Sequence, residues 1–284
     1  MKPITELLKD IKIQHTVFAL PFAMMSAFIA ANGAPGWRAL ALIVCAMVFS
    51  RSAAMAFNRL ADERYDVLNP RTRERALPMG SVSRGQYAFF TIVCCVGFIA
   101  VCAMINDLAL WLSPFALMIV FLYSYTKRFT PYSHFFLGLA LALAPIGAWV
   151  AIHGQFALSP FILGVAVMFW LAGLDIIYSC QDIDFDREHH LQSIPQKYGV
   201  ARSLNLAAMF HAIMIIFLVA LSATTRLSWL YYAGLVFTAA MLFYEHSLVR
   251  PDDLKRINVA FFNVNGVISA GLALFTIADT IVFR

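Results

Sequence analysis

Charged residues are scarce in this sequence. Only 13% of the 284 residues are Asp, Glu, Lys or Arg, whereas 61% are hydrophobic and the mean hydropathy is +0.76. Soluble domains carry about 25% charged residues. The composition therefore excludes an ordinary soluble domain and predicts an integral membrane protein.

Cysteine is also sparse, and its placement excludes a disulfide framework or a zinc cluster. The chain has five cysteines, an odd number, and all of them lie in apolar runs. None has the spacing of metal ligands. We expect buried packing thiols at Cys45, Cys94, Cys95, Cys102 and Cys180.

Long apolar runs dominate the chain instead. A spanning helix needs about 20 mostly apolar residues, and no strand-like alternation competes with the helical pattern. We predict an all-α integral membrane protein with a single domain over residues 1–284, a nine-helix bundle around a cavity open at the cytoplasmic face. The predicted spans are about 15–31, 37–57, 85–105, 108–125, 134–152, 157–180, 201–222, 227–247 and 257–280.

The segment before the first span, residues 1–14, predicts a short interfacial helix. Its apolar residues recur at helical spacing, and lysines are available for the opposite side. We therefore do not expect a cleaved signal at this end of the chain.

Lysine and arginine set the predicted orientation. With the N-terminus in the cytoplasm, that side receives 17 of these residues, the opposite side receives three, and Arg51 lies within the second span. This bias predicts a multi-pass protein of the inner cell membrane, with its two long Asp-rich loops, 58–84 and 181–200, in the cytoplasm. Because the excess of Lys and Arg is explained by the orientation of the chain in the membrane, we expect no nucleic-acid partner. We also infer no obligate protein partner.

Two pairs of aspartates follow even-numbered spans. Asp62 and Asp66 are four apart, as are Asp182 and Asp186, and the pairs are separated by 120 residues. Residues four apart share one helical face, so their carboxylates repel unless a cation lies between them. Hard divalent cations, and Mg²⁺ with substrate phosphates in particular, suit such oxygen ligands. The alternative is that they are ordinary solvated acids.

Basic and phenolic residues near these acids fit a diphosphate. Lys127 lies four residues after Tyr123, so the ammonium and the phenol share a face. Arg64 and Arg187 are interleaved with the two acid pairs. We predict that the three bases bind substrate phosphates, although each could also be only part of the topological charge bias.

Two further charged residues lie deeper in the predicted spans. Arg51 is seven residues before Asn58, and Asp175 is seven before Asp182. Charged groups at this depth normally point into the bundle or into a wet cavity. Arg51 could bind a phosphate or a substrate carboxylate, or extend to the headgroups. Asp175 could stabilise a developing cation, act as a base, or form a structural hydrogen bond.

Three stretches, "NRLADERYD", "YSYTK" and "QDIDFDRE", together resemble the UbiA superfamily of membrane prenyltransferases. The resemblance covers nearly the whole chain. It implies Mg²⁺-dependent transfer of a polyprenyl group from its diphosphate to an aromatic acid. Around these motifs the chain is similar to members that act in quinone biosynthesis, on 4-hydroxybenzoate or on a menaquinone precursor of the dihydroxynaphthoate type. Membrane lipid would surround the enzyme.

The resemblance also implies roles for individual residues. The implied metal ligands are Asn58, Asp62, Asp66, Asp182 and Asp186. The resemblance also implies catalytic roles for the four aspartates and Tyr123 and substrate binding by Asn58 and Lys127. From their positions alone, we add Asp175 to the expected catalytic residues and Arg51, Arg64 and Arg187 to the expected substrate-binding residues. One departure matters, since Arg59 stands where many members have an aspartate.

A divalent-cation or proton-coupled transporter is the alternative function. Paired acids in a membrane bundle also suit ion passage, but transporters place them near the midplane. Here the acids fall at one predicted water boundary. The chain has no Asp-Gly dipeptide and no DDxxD motif, which disfavours CDP-alcohol phosphatidyltransferases and soluble prenyl synthases.

Overall fold

Long helices form because the chain is a series of apolar runs in which proline and glycine are infrequent. We analysed a computed structural model, which describes residues 2–11 and 18–283. No strand occurs in that part of the chain, as predicted. The helices are α1 (Lys2–Asp10), α2 (Leu20–Ala31), α3 (Trp37–Asp66), α4 (Arg84–Ile105), α5 (Asp107–Thr126), α6 (Ser133–His153), α7 (Leu158–Ser179), α8 (Ile183–Glu188), α9 (Ile194–Tyr198), α10 (Val200–Ser222), α11 (Trp229–Ser247) and α12 (Asn265–Val282).

Each of the nine predicted spans contains a helix, and the all-α membrane class is confirmed. Seven helical segments of the described chain are long and apolar enough to cross a membrane. The helix in the first predicted span, α2, has 12 described residues, and residues 12–17 before it lie outside the described chain. Helix α12 is extended at its start by a π-helical turn, Val259–Val264.

The two predicted Asp-rich loops, 58–84 and 181–200, are wrong in part because both begin as helix. Helix α3 continues to Asp66, so the first aspartate pair lies on its last two turns. No proline or glycine interrupts "NRLADERYD", and a helix can therefore continue through it. The second segment contains a 3₁₀ turn, Cys180–Asp182, and the short helices α8 and α9.

Within the predicted interfacial segment, 1–14, the described residues form helix α1, and one side of it contacts the protein, while residues 1 and 12–14 lie outside the described chain. Leu7 and Ile11 are buried in a cluster with Ala56, Leu77 and Tyr87. Its place at a membrane surface stays a prediction. The contact links the start of the chain to the half of α3 that carries the first aspartate pair.

Helix α7 lies at the centre of the bundle and approaches α6 closely at a glycine. Leu163, Val167 and Trp170 on α7 are almost completely buried. A Cβ atom added to Gly138 on α6 would lie 2.4 Å from the main-chain oxygen of Met168 on α7. The two backbones can pack at this distance only because residue 138 has no side chain.

We therefore expect Gly138→Ala to destabilise the protein by about 1–3 kcal/mol, since the added methyl group forces the helices apart. Gly147→Ala on the same helix is the control, because no atom lies within 4 Å of the added Cβ and alanine favours helix. Thermal unfolding in detergent measures both. Equal melting temperatures for the two variants would contradict the close approach.

Candidate active site

A polar cavity of about 190 Å³ lies where the ends of α3, α5 and α7 meet α8 and the segment after α3. Its lining contains all five aspartates that the sequence singled out, with basic and hydroxyl side chains between them. Its charged and polar members include Asn58, Asp62, Asp66, Arg71, Arg75, Tyr123, Lys127, Arg128, Asp175, Asp182 and Asp186. The predicted convergence of the two aspartate pairs on one space is what the structure shows.

The first pair is neutralised by two different partners. Asp62 accepts a hydrogen bond from the Asn58 side-chain nitrogen at 2.7 Å, and Nη2 of Arg128 lies 3.6 Å from its other oxygen. Asp66 is buried, and Nη1 of Arg75 donates to both of its oxygens at 2.7 and 2.8 Å. One helical face therefore presents two carboxylates, as the spacing predicts, and each has its own base.

The second pair is held in the same way. Arg71 forms an ion pair with Asp182 across 111 positions of sequence. Asp186 is only 1% exposed and accepts a hydrogen bond from the Ser193 hydroxyl at 2.8 Å. The Lys127 ammonium lies 3.5 Å from the same Asp186 oxygen. Basic side chains and one hydroxyl group therefore lie against the carboxylates of both pairs.

Lys127 is positioned directly after α5, facing both acid pairs. Burial lowers the pKa of its ammonium, but the carboxylates of Asp186, Asp175, Asp182 and Asp62 raise it, and the net pKa lies above the ordinary lysine value. A raised lysine pKa means that the group keeps its proton through neutral and moderately alkaline pH. Lys127 is therefore a permanent positive charge in the cavity.

Asp175 faces the cavity from α7, and a histidine that the sequence left unassigned fixes its orientation. Nδ1 of His134 lies 2.6 Å from Oδ2 of Asp175. Nε2 of His134 accepts a hydrogen bond from the main-chain nitrogen of Ile194 at 3.3 Å. Because Nε2 is an acceptor, the ring proton lies on Nδ1 and is donated to Asp175. Asp175 thus forms the structural hydrogen bond that was one of its predicted roles, and it also lines the cavity, where the other two roles stay predictions.

Asn58 supports Asp62 through its nitrogen, while its oxygen faces Arg59. Nη1 of Arg59 lies 3.3 Å from that oxygen, and Nε of Arg59 lies 3.1 Å from the Asp10 carboxylate. The Tyr87 hydroxyl donates to the same carboxylate. The arginine that departs from the family pattern thus connects α1 to the first acidic motif. A role for Asn58 as a metal ligand stays a prediction.

Two of the predicted substrate-binding arginines, Arg64 and Arg187, do not line this cavity. Arg64 points to the outside of α3, where it donates to the Tyr65 hydroxyl, and Arg187 is exposed. Their assignment to the diphosphate stays a prediction, whereas the turns after α3 bring Arg71 and Arg75 into the cavity. The run "RTRER" inside an acid-rich segment was the available signal for those two residues.

Arg51 lies deeper on α3, two turns before Asn58. Its Nε is buried and has no hydrogen-bond partner among the described residues. A buried guanidinium nitrogen without a partner costs free energy, and a bound anion would offset that cost. The position predicted from sequence, inside the bundle below the acids, agrees with this burial.

The donor set of the cavity fits a hard divalent cation. All candidate ligands there are carboxylate or amide oxygens, which Mg²⁺ and similar ions prefer. Within residues 2–11 and 18–283, however, no three acidic, histidine or cysteine side chains converge closely enough to form a metal site. The carboxylates line one cavity, but each paired aspartate contacts a different basic side chain.

Comparison with known proteins identifies the family. The profile of the UbiA prenyltransferase family matches residues 19–267, most of the chain. The chain belongs to the UbiA prenyltransferase family. It is thus a multi-pass membrane-bound prenyltransferase, which confirms the resemblance read from the three motifs and decides against a transporter.

Individual proteins are similar to this chain in sequence or in structure. The chain is 30% identical to 4-hydroxybenzoate octaprenyltransferase of Marinobacter nauticus over 249 residues, covering 87% of this chain and 83% of that protein. A UbiA homolog from Aeropyrum pernix K1 has a similar structure, with a TM-score of 0.86, 32% identity and coverage of 94% and 98%. A UbiA homolog from Archaeoglobus fulgidus bound to DMAPP and Mg²⁺ shares the fold, with a TM-score of 0.77, 20% identity and coverage of 97% and 99%.

The ion pair of Arg75 and Asp66 leads to a stability prediction. Arg75→Met should destabilise the protein by about 2 kcal/mol, because it leaves Asp66 buried without its base, and partial exposure of Arg75 moderates the loss. Arg73→Met, two residues away and exposed, is the matched control. Thermal unfolding in detergent gives both values.

Adding Asp66→Asn to Arg75→Met should recover part of the lost stability, because the unpaired charge is then removed. If Arg75→Met melts at the same temperature as Arg73→Met, the Asp66 carboxylate does not depend on this partner.

Proposed function

We propose that this prenyltransferase moves a polyprenyl group from its diphosphate to an aromatic acid, with 4-hydroxybenzoate as the first candidate acceptor. The observation that carries the proposal is the cavity lined by five aspartates and four basic side chains, together with Arg51 two turns before Asn58 on α3, whose buried Nε has no partner among the described residues. The basic side chains of such a cavity can bind a diphosphate, and the Arg51 guanidinium can bind the carboxylate of an aromatic acid. The name of the Marinobacter relative supports this acceptor.

The four paired aspartates are the proposed ligands of Mg²⁺, which would neutralise charge on the leaving diphosphate. The Archaeoglobus homolog bound to DMAPP and Mg²⁺ supports that combination of substrate and ion. In this chain Asp62 and Asp66 would hold the ion from α3, and Asp182 and Asp186 from the end of α7 and from α8. Asn58 would orient Asp62 through its hydrogen bond.

The basic residues of the cavity are the proposed diphosphate ligands. Lys127 is charged at working pH and lies between the two acid pairs. Arg71 and Arg75 each have a planar guanidinium that can bind a phosphate in place of a carboxylate, since the geometry of the two anions is similar. These side chains would hold the diphosphate while the bond to the first carbon of the prenyl group breaks.

Residues at the floor of the cavity would then act on the cation and the acceptor. Tyr123 and Asp175 line the cavity on α5 and α7. The Asp175 carboxylate is held in one orientation by His134, so its negative charge can stabilise a cation formed beside it or accept the proton that the acceptor ring loses. The apolar bundle around them excludes water that would quench the cation.

The proposed location follows from charge placement. The bias of 17 lysines and arginines to three supports insertion in the inner cell membrane with the acidic cavity on the cytoplasmic side. A soluble prenyl diphosphate headgroup would then reach the cavity from the cytoplasm while its apolar chain stays in the membrane.

The proposal is tested by incubating the purified chain with a polyprenyl diphosphate, Mg²⁺ and a panel of aromatic acids, read by mass spectrometry. A dihydroxynaphthoate belongs in the panel, because it also carries a carboxylate that Arg51 could bind. We expect prenylated 4-hydroxybenzoate from the wild-type protein. No prenylated product from any aromatic acid would overturn the proposal.

Arg51→Lys gives the residue-level prediction within the same assay. It should raise the KM for the aromatic acid about tenfold or more while changing the KM for the diphosphate little, because a lysine lacks the planar fork that binds a carboxylate. Arg38→Lys is the control, since Arg38 is exposed near the other end of α3. Equal increases in both KM values would place Arg51 on the diphosphate instead.

A further inference from the structure

A second cavity, of about 410 Å³, opens on the outer side of α3 at the same end of the bundle as the acidic cavity. Its polar lining is strongly positive, with three arginines, Arg64, Arg84 and Arg128, against a single acid, Glu63. We call it the outer cavity. Neither the transfer reaction nor the two aspartate motifs require it.

Much of this positive charge is not used within the protein. Arg84 forms an ion pair with Glu63, which accounts for the only acid of the lining. Arg64 is exposed and donates to the Tyr65 hydroxyl rather than to a carboxylate. Arg84 is also the first residue of α4, so the positive end of that helix dipole lies at the same place. An anion entering the outer cavity would therefore meet uncompensated positive charge.

The remaining lining is apolar and lies on the surface of the bundle. Leu60 and Val67 belong to it, and Val67 is 53% exposed. Tyr125 is also exposed, and the Arg128 guanidinium lies over its ring at 4.6 Å from the ring centroid. A site with arginines at one side and exposed apolar side chains at the other suits a molecule that joins a phosphate to hydrocarbon.

Arg128 connects the outer cavity to the acidic cavity, because it lines both. Its Nη2 is near Asp62 at 3.6 Å and donates to the main-chain oxygen of Ala61. Its Nε is buried and has no partner in the described part of the chain. The Arg128 guanidinium therefore borders both cavities, and an anion in either one would lie beside its positive charge.

We propose that the outer cavity binds a phosphate-bearing anion through Arg64, Arg84 and Arg128. The apolar lining favours the headgroup of an anionic phospholipid. Diphosphate released from the acidic cavity is the other source of the same chemistry, since Arg128 lies between the two cavities.

Native mass spectrometry of the chain in a neutral detergent tests this site. Phosphatidylglycerol, phosphatidylcholine and inorganic diphosphate are titrated separately. The test variant is Arg64→Gln/Arg84→Gln, which leaves Arg128 in place. The matched control is Arg202→Gln/Arg256→Gln, which removes the same charge from two exposed arginines outside the outer cavity. Melting temperatures establish that both variants are folded.

We expect wild type and control to bind phosphatidylglycerol more tightly than phosphatidylcholine, and the test variant to lose about tenfold or more of that affinity. If the test variant instead loses affinity only for inorganic diphosphate, the anion is the released product and the site is still supported. Equal affinities of the test and control variants for both anions would overturn it, as would wild-type binding without preference for phosphatidylglycerol or diphosphate.

Discussion

Carboxylates buried at the end of a membrane-spanning bundle must be neutralised, and this requirement organises one end of the molecule. An ionised carboxylate left buried without a partner costs several kcal/mol. Asp66 and Asp186 are both buried, and their partners come from distant segments: Arg75 from the turns after α3, and Lys127 and Ser193 from the chain beyond α5 and α8. Pairing the acids therefore also fixes how these segments fold over the bundle.

The same pairing suits the chemistry proposed for the cavity. A base that holds a carboxylate can hold a phosphate instead, and the released carboxylate can then bind a divalent cation. Arg71 and Arg75 are placed for such an exchange, because each holds one aspartate of a different pair. In the structure five aspartates line the cavity against four basic side chains. When a diphosphate and a metal ion bind together, the negative charge of the diphosphate and the positive charge of the ion would enter the cavity at the same time.

Much of the fold could be predicted because membrane insertion imposes a simple rule on sequence. Apolar runs gave the helices, and the spacing of Asp62, Asp66, Asp182 and Asp186 placed all four at one end of the bundle. The C-terminal end of α3 was harder to predict than the apolar helices, because a polar helical end resembles a loop in composition. Proline and glycine would have indicated a loop, and "NRLADERYD" contains neither.

The partners of the acids could not be predicted, because they depend on tertiary contacts. Arg64 is closer in sequence to the acids than Arg75, yet it points outward from the helix while Arg75 folds back onto Asp66. His134 is 41 residues from Asp175 and had no motif to mark it. Local spacing indicates which residues share a helical face, but it does not indicate which distant loop covers that face.

The exchange of bases for a metal ion is tested most directly by Mn²⁺ binding, measured by electron paramagnetic resonance with and without a non-hydrolysable prenyl diphosphate analogue. The central claim predicts weak Mn²⁺ binding to the protein alone and tight binding once the analogue is present. Asp182→Asn should abolish the tight binding, whereas Asp107→Asn, an exposed acid at the opposite end of α5, should not. Mn²⁺ binding that is unaffected by the analogue, or unchanged in Asp182→Asn, would contradict it.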